Sequence, residues 1–157
     1  MPEKKTLERA ARDRRQGKAP STQAGEFVRE EMDHIREGKH GARSAKQAIA
    51  IGLSKARRAG VALPPPNPKT TSAATRRKAK QDDAVGASKA AKHVSRTRSK
   101  ATTKALEHEG HAAASPLALS RHAKAAARQR TSADRSRAAK RAAKTRAAEK
   151  RKAASAL

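Results

Sequence analysis

The chain has 157 residues, with thirty-nine Lys and Arg against fourteen Asp and Glu, a formal charge of +25 and one aromatic side chain, Phe27. Leu, Ile, Val and Phe together number fifteen, roughly a tenth of the chain and under the level of about 20% at which a highly charged sequence builds a core. A large globule is excluded, and the thirty-eight alanines favour helix while burying little area each.

Cysteine is absent, which removes disulfides and thiolate metal sites. The start Met1-Pro2-Glu3-Lys4-Lys5 leads into charge and not into an apolar signal segment. No run approaches the roughly 18 apolar residues of a membrane span. Alanine opposite the basic positions is too small for a surface-bound membrane helix. A cytoplasmic protein without a membrane partner is expected.

In chain order, Pro2 and Glu3 open and Gly17 closes a charged helix at residues 2–16, within an N-terminal segment of residues 1–20. A second helix is predicted from Ser21 or Thr22 to Glu37, with Val28, Met32 and Ile35 at i, i+4 and i+7 and Phe27 beside them. Gly38-Lys39-His40-Gly41 breaks it. Ser44 with Gln47 forms a capping box that opens a third helix through Ala59. On that helix Ile49, Leu53 and Ala56 repeat the spacing, Gly52 permits close approach of a neighbour, and Gly60-Val61 fits a Schellman stop. Residues 21–63 therefore read as a small helical hairpin, near the size limit for independent stability and a candidate for homodimerisation.

Leu63-Pro64-Pro65-Pro66-Asn67-Pro68-Lys69 reads as an extended linker over residues 64–69. From there to the C-terminus, twenty-four basic face six acidic side chains. Short helices are predicted at Thr71–Lys80, Ser88–Leu106, Pro116–Gln129 and Ala133–Ala156, with turns at Asp82-Asp83, Gly86, Gly110 and Thr131-Ser132. Like charges four apart, such as Lys140 with Lys144 and Arg137 with Arg141, repel one another. The segment 70–157 is expected to be a loosely packed or disordered helical tail that firms on an anion. The fold class is mostly α.

Such a chain calls for a polyanion, since each phosphate neutralised releases condensed counterions. The candidate phosphate contacts are Arg128, Arg130, Arg135, Arg137, Lys140, Arg141, Lys144, Arg146, Lys150, Arg151 and Lys152 in the tail. In the hairpin they are Lys46, Lys55, Arg57 and Arg58, with Gln47, should it act as a helix-turn-helix reader. The six-residue connection from Gly38 to Arg43 is longer than that motif's usual three or four. DNA is favoured over RNA because residues 64–157 hold no aromatic platform on which bases stack. An RNA-binding or ribosome-associated protein and a protein-interaction adaptor acting through the hairpin are the rival readings.

Ser88-Lys89-Ala90-Ala91-Lys92, Ser115-Pro116 and the Ala/Lys runs resemble the C-terminal tails of linker histones and of histone-like bacterial proteins. The resemblance implies DNA condensation and a nucleoid-associated role. Gly38-Lys39-His40-Gly41, followed by residues 44–60, resembles a family of small basic bacterial proteins of unknown function over residues 20–63.

Glu107-His108-Glu109-Gly110-His111 is the densest His and carboxylate cluster, but its spacing is not HExxH and no third ligand is evident. No metal or cofactor is expected. Glu30-Glu31 and Asp82-Asp83 are neighbours that do not face one pocket, so no enzyme is expected.

Overall fold

The computed structural model describes residues 2–88 and 95–154, with Lys152 in backbone only. Among these residues there are seven α-helices, one short 3-10 helix and no strand. They are α1 (Lys4–Arg15), α2 (Pro20–Arg36), α3 (Ala45–Arg58), α4 (Ala73–Ser88), α5 (Arg96–Glu107), a 3-10 turn at His111–Ala114, α6 (Pro116–Arg128) and α7 (Ser132–Ala154). The mostly α class is as expected. The chain divides into two compact units, Met1–Leu119 and Ser120–Leu157.

In the first unit, α2 and α3 pair as the expected hairpin. Ser44 Oγ accepts from the Gln47 N–H at 3.2 Å, and Gln47 Oε1 reaches back to the Arg43 N–H at 2.9 Å. The capping box thus closes one residue earlier than the standard pattern, on Arg43 and not on Ser44 itself. At the other end of α3, Val61 N–H donates to Ala56 O and Gly60 N–H to Arg57 O, the Schellman pair read from the sequence. A Cβ on Gly52 would stand 2.8 Å from Val28 Cα, so the hydrogen at this position is what lets the two helices touch.

The apolar interior is small. Phe27, Met32, Ile35 and Val61 are the large buried members, and nine alanines accompany them. They form two clusters: Met32, Ile35, Ala42, Ala48, Ala113 and Ala114, and separately Ala10, Ala24, Phe27, Ala56 and Val61. Ala10 belongs to α1 and Ala113–Ala114 to the 3-10 turn. Elements outside the hairpin therefore pack against both of its apolar clusters.

The expected boundary at the prolines is corrected by this packing. α4 lies on α3, and the segment 107–114 tucks against the turn after α2. Gly41 N–H donates to Leu106 O at 2.8 Å and Ala42 N–H to Gly110 O at 3.1 Å. Asp82-Asp83 and Gly86, read as turns, lie inside α4. Asp82 accepts from Ser54 Oγ at 2.6 Å and Lys78 Nζ at 2.6 Å, while both Asp83 oxygens accept from Arg57 Nη1, at 2.9 and 3.0 Å. Bonds of this charged kind offset the poor helix propensity of aspartate. A Cβ on Gly86 would meet Arg57 O at 2.1 Å, so this glycine marks a close approach of α4 to α3 and not a break.

The second unit contains the end of α6 and all of α7. Residues 120–154 include no Leu, Ile, Val, Met or aromatic side chain. Thr131 opens α7 through a reciprocal cap, its hydroxyl accepting from the Asp134 N–H at 3.1 Å and donating to Asp134 Oδ2 at 2.8 Å. The tail is helical over its described residues, as expected, while the disorder also expected of it is not seen there. The Ser88-to-Lys92 motif lies mostly outside the described residues.

Candidate functional site

Charge is distributed differently in the two units. Residues 120–157 carry thirteen Lys and Arg against two acids, Asp134 and Glu149. A 23-residue α7 is roughly 35 Å long at about 1.5 Å per residue, comparable with one turn of duplex DNA at about 34–36 Å. On it Arg137, Lys140, Arg141, Lys144 and Arg151 stand at i, i+3, i+4, i+7 and i+14, which places them on one face. All five are exposed. Among the described residues only Arg137 of these five forms an ion pair, with Asp134 at 2.6 Å.

Arg135 and Arg146 turn to backbone carbonyls, Arg130 O at 3.1 Å and Ala142 O at 3.4 Å. Arg128, Arg130 and Lys150 are exposed as well, and the Lys152 side chain lies outside the described residues. The Arg137 guanidinium and the Thr131 hydroxyl and N–H hold the Asp134 carboxyl down at about 2. The start of α7 therefore keeps its one anionic cap at any ordinary pH.

The four hairpin candidates separate. Lys46 and Arg58 are exposed. Lys55 and Arg57 are not available, which corrects the sequence-based assignment. Lys55 Nζ sits 2.6 Å from Glu31 Oε2 and 3.3 Å from Glu30 Oε1. Arg57 is 7% exposed, paired with Asp83 and donating to the carbonyls of Leu63 and Pro64. Lys55 faces inward because the buried carboxylates of Glu30 and Glu31 demand a partner, whereas Arg57 is held by the half-exposed Asp83 and two backbone carbonyls. A helix-turn-helix reader would need these two side chains free, and α3 has committed them to structure.

The other polar focus lies between α1, α2 and the loop 38–43. Gly38, at φ +74°, ends α2 with its N–H on Ile35 O, while the Lys39 N–H bonds His34 O. The left-handed conformation, easy for glycine, turns the chain so that His40 comes back to α2. His34 and His40 meet edge to face with ring centroids 6.1 Å apart. His34 Nε2 bonds Glu3 Oε1 at 2.8 Å, and His40 Nδ1 bonds Gly41 O at 3.1 Å. His40 Nε2 stands 3.4 Å from Glu31 Oε1.

The hydrogen bond from His34, with Lys39 beside it, holds the Glu3 carboxyl below the usual range. Burial alone would raise Glu30, but the Thr6 hydroxyl, the Glu3 N–H and Lys55 bring it below its ordinary value. Glu3 was read as complementing the positive end of α1. Its side chain makes no cap bond there and instead ties α1 to α2. Of the three residues that converge, Glu31 was read only as half of an adjacent carboxylate pair and His40 only as part of the break after α2, while His34 was not singled out. Their signal was an E-x-x-H pair on one helix face followed by a histidine in the next loop.

Residues 3–67 match the model of a family of unknown function, DUF6496. No curated protein and no solved structure matches the chain. The matched span takes in α1, α2 and α3 and stops before α4, so it includes α1 as well as the hairpin of the expected resemblance. No described helix is long and apolar enough to cross a membrane.

Proposed function

We propose that this protein binds nucleic acid, duplex DNA ahead of RNA, through the cationic segment 120–157, as a nucleoid-associated, histone-tail-like binder without catalysis. The observation that carries the reading is the exposed α7 face of Arg137, Lys140, Arg141, Lys144 and Arg151, which has almost no internal anion to satisfy it. Such a face suits phosphate neutralisation, and the reading assigns its side chains to the phosphates and none to base edges. α7 of the free protein carries like charges at i, i+4, a repulsion of a few tenths of a kcal/mol per pair that a phosphate chain removes. Helix formation and binding reinforce each other on this account.

The test is fluorescence anisotropy of the full chain with labelled 20-base-pair duplexes of unrelated sequence, and with single-stranded and duplex RNA of equal length. The expected result is equal affinity for the duplex DNAs and weaker binding to RNA. Tighter binding to RNA transfers the reading to an RNA-associated protein, and no binding to either at low salt removes it.

A further inference from the structure

We propose that Glu31, His34 and His40 form a binding site for one divalent transition-metal ion of the zinc class. A carboxylate oxygen of Glu31 and one nitrogen from each imidazole lie within 4.8 Å of one another. Tetrahedral ligands about 2.1 Å from an ion are roughly 3.4 Å apart, so closure asks for movements of about an ångström, within the reach of side-chain rotation. The set itself, two imidazoles and one carboxylate, suits zinc and its first-row neighbours over calcium or magnesium.

A second observation points to a ligand independently of the clustering. Glu31 is 0% exposed, yet neither of its carboxylate oxygens has a hydrogen-bond partner among the described residues. Lys55 approaches Oε2 as an ion pair at 2.6 Å without hydrogen-bond alignment, and it leaves Oε1 turned toward His40. Burying an ionised carboxylate with open lone pairs costs several kcal/mol. A cation on Oε1 would supply what is missing.

The imidazoles are already held as metal ligands are held. The Gly41 carbonyl can only accept, so His40 donates from Nδ1, and its Nε2 stands toward Glu31. Glu3 anchors His34 as a carboxylate–imidazole pair, the arrangement that orients a ligating histidine and raises its basicity. Around the site three carboxylates, Glu3, Glu30 and Glu31, face two ammonium groups, Lys39 and Lys55. The pocket is locally anionic in a chain of +25. Three protein ligands would leave a coordination position for water.

The experiment is a cobalt(II) chloride titration of the full chain in phosphate-free buffer after chelator treatment, read by visible d–d absorption, with circular dichroism on every variant. One saturable equivalent is expected. Glu31→Gln, His34→Gln and His40→Gln should each weaken binding by more than the roughly 100-fold that losing an outer partner can cost, and Glu3→Gln by about 10-fold. His108→Gln and His111→Gln should bind as the unaltered protein does. Absence of a saturable site, or full-strength binding by a helical His40→Gln, would overturn the proposal. In that event the trio is a buried ion network with no metal.

Discussion

Residues 1–119 and 120–157 are both helical and both basic, yet they handle charge in opposite ways. In the first unit nine of the twelve carboxylates sit in salt bridges among the described residues, and they draw Lys55 and Arg57 inward. In the second, two carboxylates serve thirteen cations. The difference teaches that a count of Lys and Arg does not locate a polyanion site. What locates it is how many of those cations the chain's own acids and carbonyls have already taken.

If the first unit is held by close backbone contact as well as by ion pairs, small additions there should be expensive. Gly41→Ala would set a Cβ 1.8 Å from Glu109 O and should cost about 3 kcal/mol, the upper end for overpacking, read as a lowered urea midpoint. Asp83→Ala removes the pairing with Arg57 and should cost about 2 kcal/mol. That is below the figure for a fully buried pair because the Asp83 side chain is 41% exposed. Gly25→Ala, with nothing within 4 Å of the new Cβ, should stabilise α2 by about 0.5–1 kcal/mol. Equal effects from Gly41→Ala and Gly25→Ala would break the distinction between contact and open surface.

Acid should separate the two units. Glu3 and Glu30 sit below their ordinary value of 4.5, so their contribution is complete above that pH and is lost as pH falls through their folded values. Asp134, lowered from 3.8 to about 2, contributes fully only above 3.8 and loses that contribution between 3.8 and about 2. Amide exchange during acidification should therefore show α1 loosening from α2 before the first turn of α7 frays.

The hairpin was legible because its signals are local. Ser44 and Gln47, Gly60 with Val61, and the apolar spacing of Val28, Met32 and Ile35 each act within a few residues. The additions to it were not legible. Arg57 meets Asp83 twenty-six positions away and Arg36 donates to Ala114 O across seventy-eight. Alanines such as Ala10, Ala113 and Ala114 become buried without standing out among the thirty-eight of the chain. Asp82, Asp83 and Gly86 carry turn chemistry by composition, and only their partners on α3 explain a helix through them. Among the candidate contacts of the hairpin, Lys55 and Arg57 could not be sorted from the exposed Lys46 and Arg58 without knowing where the carboxylates fall.

The most direct test compares the full chain with a variant carrying Arg137→Gln, Lys140→Gln, Arg141→Gln, Lys144→Gln and Arg151→Gln, measuring duplex DNA affinity across a range of salt concentrations. At about 0.9 per phosphate contact, the slope of log affinity against log salt should become shallower by roughly 4 to 5, with helix content kept. An unchanged slope would contradict the account and place the phosphate contacts elsewhere on the molecule.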